Sequence, residues 1–261
     1  MTLKDKVALI TGGTRGIGWA IAEELAAEGV HLLLNYVARK PQDEMTEELR
    51  KRGVRVVTCA GDVSKEKDVN QMFELADREF GRIDILVNNA GILKPGYLHE
   101  MSEHDWDLSV GVNLKGVFNC SKAAAARMIP RRSGKIINVS SQIAWLPVAG
   151  AGAYCATKMA VITLTKTMAA ELGPYGISVI AVAPGMIETE LNAEIRARVG
   201  QEAARPIAAG RIGRPKDVAD LVVFLCSPRA DYLTGAIVDI SGGTMAVQNP
   251  WDAWAKAGVQ P

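Results

Sequence analysis

Tyr154 and Lys158 stand four residues apart in Tyr-Cys-Ala-Thr-Lys, at the start of a segment with helical patterning, so both side chains share one helix face. A free phenol titrates near 10, which leaves about one molecule in a thousand ionised at neutral pH. An ammonium nearby favours the phenolate and lets the tyrosine serve as a general acid or base. Ser141 lies earlier in the chain, just past a strand over 135–139, where its hydroxyl can bond a substrate oxygen. Tyr36 and Lys40 repeat the spacing, but Pro41 follows at once and no serine is suitably placed, so that copy reads as chance.

A second constellation joins the apolar run 7–11 to a helical segment. In Thr11-Gly-Gly-Thr-Arg-Gly-Ile-Gly18 the residues Gly12, Gly16 and Gly18 follow a G-x-x-x-G-x-G spacing, with Thr14, Arg15 and Ile17 between them. Residues without Cβ let the backbone approach a pyrophosphate, whose charge faces the unpaired N–H groups of the helix start. A carboxylate about 20 positions onward would bond a ribose 2′-hydroxyl and favour NAD. Here the second strand ends in Asn35-Tyr36-Val37-Ala38-Arg39-Lys40, with no carboxylate before Asp43. Arg15 and Arg39 suit a 2′-phosphate instead, so NADP(H) is favoured and NAD(H) is left open. No metal site is expected: His99 and His104 would sit about 140° apart around a helix, and Ser102 fits a cap for a helix entering at Glu103.

Positioning these groups requires a frame. Short β-branched runs at 7–11, 31–36, 54–59, 83–87, 135–139, 177–183 and 236–240 alternate with helical patterns at 16–29, 41–52, 65–80, 102–130, 153–172 and 215–226. Strands without polar alternation are buried on both faces, and helical crossovers demand parallel neighbours. The expectation is an α/β fold: a single doubly wound, Rossmann-type domain, with a parallel sheet of about seven strands and helices on both faces. The domain is expected over 1–247, with a substrate loop at about 185–213 and a C-terminal tail at 248–261 that carries Trp251 and Trp254. Irregular stretches at 92–101, 142–151 and 185–213 follow strand ends, the edge where open α/β sheets bind ligands.

Composition narrows the function. Of 261 residues, 48% are hydrophobic and 23% charged, values of a packed globular chain. Thirty Lys and Arg against 29 Asp and Glu leave no basic excess for nucleic acid or an anionic membrane. The stretch 136–157 is uncharged but broken by polar residues and glycines, so it is no membrane span, and the N-terminus lacks the apolar core of a secretory signal. Cys59, Cys120, Cys155 and Cys226 form no paired motif and are expected as reduced thiols in a cytoplasmic protein.

Taken jointly, Thr11–Gly18, Asp62-Val63, Asn88-Asn-Ala-Gly91, Asn113, Ser141, Tyr154-x-x-x-Lys158 and Pro184-Gly185 resemble the short-chain dehydrogenase/reductase family over nearly the whole chain. The resemblance implies a catalytic tetrad of Asn113, Ser141, Tyr154 and Lys158. Tyr154 would exchange a proton with the substrate oxygen while hydride moves between carbon and nicotinamide. Ser141 would orient that oxygen, Lys158 would lower the Tyr154 pKa and hold the nicotinamide ribose, and Asn113 would support a water relay. Gly12, Arg15 and Ile17 would meet the phosphates, Asp62 and Val63 the adenine, and Asn89 its ribose, with Asn35, Ala90 and Gly91 beside them. Ile187 and Thr189, after the cofactor-side turn Pro184-Gly185, would hold the carboxamide. Asn88 has an equal reading as a strand tie, Asp62 and Thr189 as helix caps, and Asn113 as a satisfier of backbone groups.

The nearest family flavours are 3-oxoacyl-carrier-protein reductases and sugar or polyol dehydrogenases such as glucose 1-dehydrogenases. The favoured activity is that of a carbonyl reductase, interconverting a ketone or 3-oxoacyl group and a secondary alcohol. A dinucleotide-binding protein without catalysis is the rival from another class. Ile143 and Trp145, with Leu146 and Val148, would line an apolar substrate wall beside Ser141 and Tyr154. Arg131 and Arg132 match one carrier-protein docking position, but Tyr175 replaces the basic residue of the other, so an acyl-carrier-protein partner is left open. The resemblance also implies a homotetramer.

Overall fold

Branched apolar runs become strands and the amphipathic stretches between them become helices. The computed structural model describes residues 3–38 and 40–258, so Arg39 lies outside the described residues. The first half holds β1 (Val7–Ile10), α1 (Gly16–Ala27), β2 (His31–Tyr36), α2 (Asp43–Arg50), β3 (Val56–Ala60), α3 (Glu66–Phe80) and β4 (Ile85–Asn88). Next come α4 (Glu103–Val110), α5 (Gly116–Met128), β5 (Gly134–Val139), α6 (Gly152–Leu172) and β6 (Ile177–Pro184). The chain continues with α7 (Ala193–Val199), α8 (Pro215–Cys226), β7 (Ile237–Ile240) and α9 (Trp251–Lys256).

Among the described residues the strands form one seven-stranded parallel sheet in the order β3-β2-β1-β4-β5-β6-β7. The period of two in a strand divides its residues between two faces. Ala8, Ile10, Leu32 and Leu34 join α1 and α8 in one buried cluster, while Val7, Leu9 and Leu33 join α3, α5 and α6 in the other. Each fully buried Leu or Ile contributes about 1.5–3 kcal/mol, which is why neither face tolerates polar alternation.

β1 pairs with β2 on one side and β4 on the other, so the connections diverge there and open a crevice at the carboxyl ends of β1 and β4. Three local details differ from the sequence reading. α2 begins at Asp43 rather than Pro41, with Asp43 and Glu44 in the first turn, where the helix dipole favours them. The segment 102–130 is not one regular helix: a π-helical turn at Gly111–Lys115 separates α4 from α5. The tail carries its own short helix, α9, outside the sheet.

Candidate active site

Lys158 is anchored from both its ends. Its Nζ donates to the Val139 carbonyl at 2.8 Å, and its own carbonyl accepts from Ser140 Oγ at 2.8 Å. These two bonds fix the start of α6 against the carboxyl end of β5, beside Ser141. Nζ lies 5.4 Å from the Tyr154 ring centroid, and Ser141 stands close enough to the phenol to favour its ionised form. Ser141 Oγ also accepts from Ile143 N at 3.4 Å, which holds the turn carrying the half-buried Ile143 and Trp145.

Asn113 reaches the same place from the π-helical turn, a distortion that re-aims side chains and recurs at functional sites. Its Oδ1 accepts from Ile92 N at 2.8 Å, and its Nδ2 donates to Ile92 O at 2.9 Å and to Thr157 Oγ1 at 3.3 Å. A Cβ at Gly91 would stand 3.4 Å from Asn113 Oδ1 and 3.5 Å from Lys158 Nζ, so this glycine keeps the space between them narrow and clear. The four residues of the tetrad therefore share one end of the sheet. The satisfier role of Asn113 and its membership of the cluster hold together.

Burial dominates the electrostatics. It pushes the Tyr154 phenol up to about 12, partly opposed by the Ser141 hydroxyl, and pulls the Lys158 amine down to about 8. A low-dielectric wall penalises both charged forms. Without a bound cofactor, desolvation is the largest influence on both groups, and the phenol stands above its ordinary range.

The glycine loop is held from three strands. Gly12 and Gly16 adopt φ of +59° and +54°, and a Cβ at Gly18 would fall 2.3 Å from the Gly12 carbonyl oxygen. Asn89 Nδ2 donates to Thr11 O and Gly12 O at 3.0 Å, while Thr11 Oγ1 accepts from the N–H groups of Asn89 and Ala90, also at 3.0 Å. Asn35 Oδ1 accepts from Gly12 N at 3.3 Å and its Nδ2 donates to Gly61 O at 2.8 Å. Both asparagine amides thus hold the loop rather than project from it. No acidic side chain occupies the first turn of α1, which leaves that helix end open to an anion.

Around the crevice, Asp62 Oδ1 accepts from Ser64 N and Ser64 Oγ at 3.0 and 2.7 Å. Burial works against its ionisation, but these bonds and the Lys65 ammonium outweigh it and hold the carboxyl below its ordinary range. Val63 is buried and Ile17 packs on the core. At the end of β6, Pro184 is buried and Gly185 N donates to Ile240 O at 3.0 Å. Ile187 is buried, and Asn192 Oδ1 accepts from both the amide and the hydroxyl of Thr189. Thr189 Cγ2 would stand 3.5 Å from a Cβ at Gly16, and Arg15 bonds Glu190 at 2.9 Å, so the loop after β6 spans the crevice. Thr14, Arg15, Gly16, Trp19, Lys40 and Glu190 line a cavity of about 250 Å³ there.

Asn88 takes its strand-tie reading, while its partners Asn138, Ser121 and Thr165 were missed by sequence reasoning. Asn88 Nδ2 donates to Asn138 Oδ1 at 2.8 Å and Ser121 Oγ at 2.9 Å, and Asn138 Nδ2 donates to Thr165 Oγ1 at 2.9 Å. The signal was available: Asn88 and Asn138 are polar residues in apolar strands, directly opposite in register. Thr11, Ser140 and Thr157 at element ends carried a weaker one. Among the described residues no three His, Cys, Asp or Glu side chains gather as metal ligands, and no helix is long and apolar enough to cross a membrane.

A doubly wound parallel sheet with a glycine loop at its switch point and Ser, Tyr and Lys at the adjoining strand ends defines a Rossmann-type oxidoreductase. A family model described as enoyl-(acyl carrier protein) reductase matches residues 12–245. The chain belongs to the short-chain dehydrogenase/reductase family. It is 40% identical over 240 residues to a 3-oxoacyl-[acyl-carrier-protein] reductase FabG of Staphylococcus epidermidis, covering 92% of this chain and 98% of the relative. The corresponding protein of Thermotoga maritima is 38% identical over 243 residues, covering 93% and 99%. Among solved structures, levodione reductase superimposes with a TM-score of 0.86 at 32% identity, covering 94% of this chain and 99% of that one. A short-chain type dehydrogenase/reductase from Mycobacterium marinum gives 0.89 at 32% identity, covering 94% and 98%.

Proposed function

We propose that the protein is an NADP(H)-dependent oxidoreductase that interconverts a ketone or 3-oxoacyl group and a secondary alcohol. The observation that carries this reading is the gathering of Ser141, Tyr154 and the buried Lys158 amine at the carboxyl end of β5, with Lys158 Nζ 5.4 Å from the Tyr154 ring centroid. Tyr154 holds the proton exchanged at the substrate oxygen, Ser141 fixes that oxygen, and Lys158, tied to Val139, keeps the phenol in place. Asn113 acts behind Lys158, at the water side of the relay. Ile143 and Trp145 form the apolar side of the substrate space.

The chain fits a nicotinamide dinucleotide: in the glycine cradle Gly12 and Gly16 take positive φ and Gly18 has no room for a Cβ, and the first turn of α1 carries no acidic side chain against a phosphate. When bound, the cofactor supplies or accepts hydride at its nicotinamide. Thr14, Arg15 and Ile17 would meet its phosphates, and Asp62 and Val63 its adenine, next to Asn89, Ala90 and Gly91. Tyr154 and Lys158 would hold the nicotinamide ribose, and Ile187 and Thr189, after the turn Pro184-Gly185, the carboxamide. Arg15 and Lys40 at the 250 Å³ cavity support the 2′-phosphate form. NAD(H) is the alternative.

Small free ketones suit the chain better than carrier-bound thioesters. Arg131 bonds Asp84 and the Ile83 carbonyl, and Arg132 bonds Pro174 O at 2.7 Å. Both precede β5, at the edge of the sheet opposite Ser141. A cytoplasmic homotetramer belongs to the same reading, supported by the exposed Phe118 of α5 and Met159 of α6. The test is a spectrophotometric screen of ketones, acyl thioesters, aldoses and polyols with each cofactor. Tyr154→Phe is expected to lose at least about a hundredfold in kcat while NADPH binding is kept. Retained turnover removes Tyr154 from proton transfer.

A further inference from the structure

We infer that Trp254, on the C-terminal helix α9, is a positioning residue that sets substrate preference by clamping the loop between β6 and α8. This rests on the carbonyl-reductase reading above. Gly210 of that loop has φ +67°, and a Cβ there would fall 2.5 Å from Cη2 and Cζ2 of the Trp254 indole. Only a residue without a side chain leaves room for that ring. One turn earlier, the Arg205 guanidinium lies 5.1 Å over the Trp251 ring. Two indoles of one short helix thus hold two points of the same loop.

The loop's inner face rests on the turn after β7. Ala209 N donates to Gly242 O at 2.9 Å, and Ile207 and Ala208 meet Gly242 and Gly243, where a Cβ would approach them to 2.7 and 2.8 Å. Beyond these contacts lies a cavity of about 180 Å³, lined among others by Ile187, Ala209, Arg211 and Gly242. The segment thus lies between this space and the Trp254 indole. The same segment is zipped to the residues at the crevice: Gly213 N donates to Met186 O at 2.9 Å and Glu188 N to Gly213 O at 2.8 Å. Displacement at Gly210 therefore passes through Gly213 to Ile187 and Thr189. The family match stops at residue 245, before α9.

The experiment compares the full-length protein with Trp254→Ala and Trp254→Phe. Trypsin cleavage at Arg211-Ile212, half-exposed in the loop, reports the clamp without any turnover. Trp254→Ala should be cut about tenfold faster, with Trp254→Phe restored most of the way. KM for the best ketone found in the screen should rise about tenfold in Trp254→Ala, with kcat and the NADPH Kd within about twofold. Wild-type cleavage and KM in Trp254→Ala would overturn the inference. So would parallel losses of KM, kcat and cofactor binding that phenylalanine does not restore, since those mark general unfolding. If the wild-type protein turns over no carbonyl compound, the functional reading and the substrate role fall together, and the cleavage rates alone decide the clamp.

Discussion

Replacing Lys158 with methionine removes an amine from a site where it is only 3% exposed while keeping a side chain of similar length. Burial lowers the folded-state pKa from 10.5 to about 8. Below pH 8 the folded protein must hold the charged amine in an apolar wall, whereas the unfolded chain holds it in water. The penalty is full there, shrinks as pH rises through the folded value and vanishes above the unfolded one. At about 1.4 kcal/mol per decade, it amounts to about 3 kcal/mol. Methionine also loses the bond to Val139 O, a cost of about 1–2 kcal/mol that does not follow the amine's titration. Urea denaturation of both proteins without cofactor, between about pH 7 and about pH 10.5, isolates the titrating part. The wild type should gain about 3 kcal/mol relative to Lys158→Met over that range, with m-values alike. A difference that stays flat, or moves the other way, would show that the amine is hydrated in the folded protein and refute the argument.

The cradle and its surroundings give further tests. Arg15→Ala should weaken NADP⁺ about tenfold relative to NAD⁺, near the 1.4 kcal/mol of one charge-assisted contact at a half-exposed site, as measured by KM ratios. An unchanged ratio would place the 2′-phosphate elsewhere. Gly18→Ala forces a methyl to 2.3 Å from Gly12 O and 2.6 Å from Asn89 Nδ2, so it should lower stability by about 1–3 kcal/mol and cut dinucleotide binding in a titration. Wild-type binding and stability in that variant would mean that the loop is slack.

The alternation of apolar runs and amphipathic stretches determined the doubly wound sheet, because a strand buried on both faces and a helical crossover leave few topologies. The placing of Ser141, Tyr154 and Lys158 at one sheet end was likewise legible, since Tyr154 and Lys158 share a helix turn and Ser141 follows a strand. Helix bounds were less so: the π-helical turn that carries Asn113 has no distinct periodicity over five residues.

What only the tertiary structure decided were quantities that depend on neighbours distant in the chain. Spacing suggested an ammonium that acidifies a phenol, but desolvation by the packed wall raises the phenol and lowers the amine. Asn35 and Asn89 were expected beside the cofactor, and only the folded chain shows that their side-chain amides also brace the glycine loop. Trp254 had no visible partner in the sequence, and its place against Gly210 exists only once the loop folds back beneath α9. Local pattern fixes which groups are available; the folded chain fixes how much water each keeps and which hydrogen bonds remain to be offered.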